Sequence, residues 1–133
     1  MRIQVVAVSQ EADGHLSVTF ESGAGRARGK WVSKSCKPEV GKAYDAEIDA
    51  EAIADRQTNT SDGRQGCRGL CIENGVVVLE ADIEAIDDDG LAYLRLADDC
   101  LLMIETSGDF STGEVLRITL PFPAVSVTVT GAV

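Results

Sequence analysis

Leu79-Glu80-Ala81-Asp82-Ile83-Glu84-Ala85 alternates apolar and acidic residues without a break. A period of two places Leu79, Ala81, Ile83 and Ala85 on one face of an extended chain and the three acids on the other, the pattern of a half-buried strand. The same reading extends outward. Leu16, Val18 and Phe20 alternate with Ser17 and Thr19; Leu116, Ile118 and Leu120 with Arg117 and Thr119; Val125, Val127 and Val129 with Ser126 and Thr128. Leu91 to Leu96 and Cys100 to Glu105 are denser in apolar residues and read as central strands joined by Ala97-Asp98-Asp99. Asp13-Gly14 and Asp89-Gly90 are hairpin signals, because glycine supplies the positive φ that tight turns need.

The two halves carry the same punctuation. In the first, Asp13-Gly14 opens a strand to Phe20, followed by Lys30-Trp31-Val32 and a glycine-led stretch from Val40-Gly41 to Ile48. In the second, Asp89-Gly90 opens a strand to Leu96, followed by Leu101-Leu102-Met103 and a stretch from Thr112-Gly113 to Ile118. This suggests a pseudo-repeat of halves 1–57 and 76–130, with the polar, aperiodic segment 58–66 as an exposed joining loop. Residues 43–56 support two readings. Tyr44, Ala46 and Ile48 alternate as a strand over 43–49, while the alanines of 50–56 favour a short helix. The expected fold is mainly β: a single domain, 1–133, of nine or ten short strands in a small antiparallel barrel. It is OB-like over 76–130, with at most one short helix.

At 133 residues and 44% hydrophobic composition, the chain has the size and make-up of one soluble globular domain with a single core. The stretch Met1–Val8, broken by Gln4, is too short for a signal-peptide core, and no apolar run reaches a membrane span. A cytoplasmic location without membrane association is therefore expected.

The formal charge of −10 is uneven along the chain. Residues 1–70 carry ten acids and ten Lys or Arg, whereas 71–133 carry twelve acids against Arg95 and Arg117. Such a half repels nucleic acid and attracts a basic protein. On one strand face, Glu80, Asp82 and Glu84 stand about 6.8 Å apart, and each neighbouring pair repels by roughly 0.6 kcal/mol in water. With Asp87, Asp88, Asp89, Asp98 and Asp99 they form the candidate docking residues for a cationic partner; solvation by water and salt is the plainer role.

No complete catalytic or cofactor motif occurs. His15, the only histidine, reads as a solvent-facing strand start after a turn glycine. Cys36, Cys67, Cys71 and Cys100 lack the two close pairs of a structural zinc site, and free thiols are the favoured reading over a bridge or a metal. Asp87-Asp88-Asp89-Gly90 lacks the glycine and glutamate positions of an EF-hand loop, so it reads as a charged turn. Gly23-Ala-Gly-Arg-Ala-Arg-Gly29 is no phosphate loop. Its basic residues Arg26, Arg28 and Lys30, with Trp31, Lys34 and Lys37, resemble a single-strand nucleic-acid groove with an aromatic platform.

The leading functional expectation is a non-enzymatic acidic binding protein, most concretely an immunity-type inhibitor whose acidic C-terminal half plugs the cationic active site of a bacterial toxin. The alternative is an OB-like nucleic-acid or phosphate-ligand module using the basic segment 26–42. Neither requires a metal or cofactor. The oligomeric state is left open, since sheet edges can pair with a second copy.

Overall fold

The computed structural model describes residues 1–131. Its strands, in chain order, are β1 (Arg2–Gln10), β2 (Leu16–Ser22), β3 (Gly25–Trp31), β4 (Ala43–Ala50), β5 (Ile53–Asp55), β6 (Thr60–Asp62), β7 (Gly69–Glu73), β8 (Val76–Ile86), β9 (Leu91–Ala97), β10 (Cys100–Ser107), β11 (Val115–Leu120) and β12 (Val125–Gly131). The one helical element among the described residues is a 3-10 turn, Phe122–Ala124. The mainly β, barrel-forming character expected from the alternation is what the chain adopts, with more and shorter strands than the nine or ten foreseen.

A closed five-stranded barrel forms the first half. β1 pairs antiparallel with β2 and β4, β2 with β3, and β12 closes the ring, parallel to β3 and antiparallel to β4. This ring has an OB-like Greek-key order. It draws on residues 2–50 and takes only β12 from the C-terminal half, where the sequence had placed the OB-like strands.

The second half repeats each pairing. β8 pairs antiparallel with β9 and β11, and β9 with β10. The place of β12 is taken by β5, parallel to β10, and β6, antiparallel to β11. Each set of strands thus receives its fifth member from the segment that follows the other set's fourth strand: the halves have exchanged their closing strands. The hairpin turns also match. Gly14 N–H donates to Glu11 O and Gly90 N–H to Asp87 O, at 3.0 and 3.1 Å, with φ near +86° and +84°. One apolar cluster, from Val5 and Phe20 through Ala46 and Val127 to Leu79, Leu94, Leu102 and Ile118, runs through both sets.

Two local expectations fail for a tertiary reason. The segment 50–56 is not helical: Ile53–Asp55 pairs with Glu105–Ser107, and the Asn59 side chain fixes the following turn, donating to Ile53 O and accepting from Asp55 N–H. Pairing with β10 outweighs the modest helix preference of three alanines. The segment 58–66 is not loop throughout, since Thr60–Asp62 lies against Leu116–Ile118 and Thr60 is buried. A three-residue strand is too short for periodicity to reveal.

β10 is a central strand only in part. β9 covers one edge along its length, whereas β5 covers the other edge only from Glu105 to Ser107. Among the described residues, no strand pairs with that edge over Cys100–Ile104.

Candidate functional site

The eight carboxylates singled out from the sequence do not gather into one patch. Glu80 is only 8% exposed. It accepts hydrogen bonds from the Arg64 backbone N–H (3.1 Å), from Arg64 Nη2 (2.9 Å) and from Arg117 Nη1 (3.1 Å). The Arg64 hydrogen bonds, side chain first, hold its carboxyl below the ordinary glutamate range against the opposing effect of desolvation. Glu80 is therefore a neutralised structural group and is removed from the docking set. Glu84 pairs with Arg95 at 3.1 Å and Asp98 with Arg68 at 2.9 Å. Asp87 accepts from the N–H groups of Asp89 and Leu91, the work of a turn residue. Asp82, Asp88, Asp89 and Asp99 are exposed with no cationic side chain within 4 Å among the described residues. Asp88 and Asp89 lie in the β8–β9 turn and Asp99 in the β9–β10 turn, at opposite ends of a strand about 20 Å long.

The basic segment is dismantled as an aromatic platform. Trp31 is 5% exposed; its Nε1–H donates to Cys36 O at 2.9 Å and its ring meets Tyr44 edge-on at 5.1 Å. It cannot stack on a base. Arg26 is paired with Glu21, and Arg28 with Glu11 while stacking on the Phe122 ring at 3.7 Å. Lys30, Lys34 and Lys37 have no carboxylate within 4 Å among the described residues.

A different set of acids is concentrated in space. Between β4 and the unpaired edge of β10 lies a shallow groove made of two pockets, of about 290 and 470 Å³, that have Met103 as a common wall. Alternation along β4 buries Ala46 and Ile48 and turns Glu47 and Asp49 outward. Alternation along β10 buries Leu102 and Ile104 and turns Leu101 (42% exposed), Met103 (46%) and Glu105 outward. Glu51, Ile53 (50% exposed) and Asp99 complete the rim.

Among the described residues, Glu47, Asp49, Glu51, Asp99 and Glu105 have no Lys, Arg or His within 4 Å, and no such side chain lines either part of the groove. The positive group present is the Met1 ammonium, which donates to Ala46 O at 2.9 Å. Large apolar side chains left in water beside uncompensated carboxylates suit a partner surface that is both apolar and cationic.

Of the predicted residues, only Asp99 belongs to this groove. Glu47, Asp49, Glu51 and Glu105 were missed, although Asp45-Ala-Glu-Ile-Asp49 shows the same apolar–acid alternation as residues 79–85. Summing charge over 1–70 hid Glu47, Asp49 and Glu51 behind basic residues that the fold spends elsewhere.

The four cysteines are free thiols. Cys100, buried at the groove floor, is pushed up to about 11, first by desolvation and then by Asp99. It stays protonated and behaves as a small hydrophobe. His15 is half exposed and contacts Asp13 at 3.1 Å. No helix among the described residues is long and apolar enough to cross a membrane. Comparison with family models, with curated proteins and with solved structures finds no match.

Proposed function

We propose that this is a non-enzymatic acidic binding protein that docks on a basic partner protein, of the immunity type that blocks a bacterial toxin's cationic active site from within the cytoplasm. The observation that carries the reading is the groove between β4 and β10: five carboxylates without a cationic side chain within 4 Å among the described residues, set around Leu101, Met103 and Ile53. In a cleft that normally receives phosphates, these carboxylates occupy the anionic positions. Their field accelerates encounter, and the apolar floor supplies the desolvated centre that slows release. The docking surface is thus assigned to both halves of the chain, not to the acidic C-terminal half alone.

Titration with a decalysine peptide tests the charge component. The wild type binds at low salt and loses affinity steeply as salt rises. The variant Glu47→Gln/Asp49→Asn/Glu105→Gln binds at least fivefold more weakly, and unchanged affinity in that variant overturns the reading. The inhibitor component is tested by co-expression with the product of the reading frame immediately upstream. Growth rescue that the triple variant fails to give is the expected result.

A further inference from the structure

A second pocket shares no lining residue with the groove. On β3, alternation buries Ala27, Gly29 and Trp31 and turns Arg28 and Lys30 away from the core. The strand register sets Ser17 of β2 and Ser126 of β12 on either side of Lys30, in the same outward row. Both serines are nevertheless buried, and two connections fold over this face. One is the β1–β2 turn, Glu11–His15, to which Ser17 Oγ donates at Glu11 Oε1 (2.6 Å). The other is the 3-10 turn, where the Arg28 guanidinium lies 3.7 Å over the Phe122 ring.

Between these connections a pocket of about 300 Å³ remains, lined by Glu11–Asp13 and His15 from the first, by Phe122 and Pro123 from the second, and by Lys30. The first wall is fixed by its own hydrogen bonds. Glu11 N–H donates to His15 O (2.8 Å) and Gly14 N–H to Glu11 O (3.0 Å), while Arg28 Nη2 donates to Glu11 Oε1 (2.6 Å). Asp13 accepts from the His15 N–H at 3.0 Å and lies 3.1 Å from His15 Nδ1. That backbone hydrogen bond, first of all, holds its carboxyl below the ordinary aspartate range. Both acids therefore have partners, whereas Lys30 has no carboxylate within 4 Å among the described residues. Arg28 takes one face of the Phe122 ring, and the ring's remaining surface lines the pocket beside Pro123.

We infer that this pocket is a binding site for a small planar aromatic monoanion, an aryl carboxylate whose ring lies against Phe122 and Pro123 and whose charge pairs with Lys30. Apolar walls with one convergent cation are the make-up of a small-ligand site, and the volume suits a compact ring system. A ring packed offset or edge-on against Phe122 gains more than the area it buries. Glu11 and Asp13 set the charge of the ligand. One lysine offsets one negative charge, and any further charge on the ligand is repelled by the two carboxylates held at the rim, which disfavours polyphosphates.

The probe is 2-naphthoate. It is compared with 2-naphthamide, which keeps the rings without the charge, and with cyclohexanecarboxylate, which keeps the charge without an aromatic ring. Binding to the full chain is measured by calorimetry and located by backbone amide shifts. Naphthoate is expected to bind with shifts centred on Glu11–His15, Arg28–Lys30 and Phe122–Ala124, and each analogue to bind about fivefold or more weakly. Lys30→Gln, a change at a half-buried surface position, is expected to weaken naphthoate to a similar degree; Phe122→Leu is the second variant. Equal binding of naphthoate and naphthamide, or of naphthoate by wild type and Lys30→Gln, overturns the anionic ligand. Equal binding of cyclohexanecarboxylate, or of naphthoate by Phe122→Leu, overturns the aromatic contact. Shifts centred on Leu101 and Met103, or no binding at millimolar naphthoate, overturns the site. None of these outcomes touches the docking reading, which the decalysine titration decides through other residues.

Discussion

The two sets of strands obey one pairing scheme yet finish differently. In the first, the closing strand β12 is an unbroken seven residues, and β7 reaches the exposed start of β3. In the second, the closing element is split into β5 and β6 of three residues each, and the start of β10 is paired on one edge only among the described residues. The first set is a sealed barrel, whereas the second keeps a free edge lined with carboxylates. Closure in this molecule is therefore uneven, and the least closed place is where a binding surface can exist without disturbing the core.

The exchange of closing strands has a thermodynamic consequence that core substitutions expose. Phe20→Ala in the barrel costs about 3–5 kcal/mol and Leu94→Ala in the second set about 2–5 kcal/mol, since both side chains are fully buried. Because each set is completed by a strand from the other half of the chain, both variants are expected to unfold in one transition by circular dichroism and by Trp31 fluorescence together. Trp31 sits in the barrel, so a Leu94→Ala protein whose fluorescence transition stays at the wild-type midpoint would show that the sets are not coupled.

The approach of β7 to β3 depends on Gly25. A Cβ there would lie 2.0 Å from Leu70 O, on a residue already at φ +127°, so Gly25→Ala must push β7 away. A loss of about 3 kcal/mol is expected, with faster amide exchange in β7. Gly14, at φ +86° with open space around it, is the control: Gly14→Ala costs only the backbone strain, about 1 kcal/mol. Equal losses would mean that β7 does not need close approach to β3.

Glu80 and Glu84, four residues apart on β8, separate a buried neutralised acid from a surface one. Glu80→Gln is expected to cost about 2 kcal/mol, because Arg64 and Arg117 lose a charged acceptor at a mostly buried site. Glu84→Gln is expected to cost under about 0.5 kcal/mol. The sign with pH follows from the lowered carboxyl of Glu80. Its stabilisation is complete above the unfolded-state value and is lost as pH falls through the folded-state value. Urea midpoints of wild type and Glu80→Gln therefore converge on going from pH 7 towards strong acid; a constant gap would contradict the ion-pair account.

Strands, hairpins and the repeat were legible because they rest on local rules, alternation and turn glycines. Asp13-Gly14 and Asp89-Gly90 marked equivalent turns correctly. Strand exchange was not legible, since nothing in Ile53–Asp55 or Val125–Gly131 says which fourth strand each will join. The same non-locality defeated the charge reading. Arg56, Arg64 and Arg68, from the neutral half, neutralise Glu114, Glu80 and Asp98 in the acidic half, and leave Glu47, Asp49 and Glu51 of their own half uncompensated. Trp31 was misplaced because a tryptophan beside basic residues looks the same in sequence whether its ring faces water or Tyr44.

The smallest expected effect is also the one with an unusual sign. Glu47 and Asp49 point outward from one strand face about 6.8 Å apart, and at that distance like charges repel by roughly 0.6 kcal/mol in water. Removing one of them should stabilise the isolated protein by a few tenths of a kcal/mol, whereas removing Glu84, which has Arg95, should not. Chemical denaturation of Glu47→Gln in urea at 20 mM and 500 mM salt reads this directly. The gain should be present at low salt and vanish at high salt, because screening already relieves the wild type. A variant that is more stable alone yet weaker towards decalysine identifies carboxylates held against their own stability, the behaviour of a surface kept for a cationic partner. Destabilisation by Glu47→Gln would place that carboxylate among the structural acids instead, alongside Glu80.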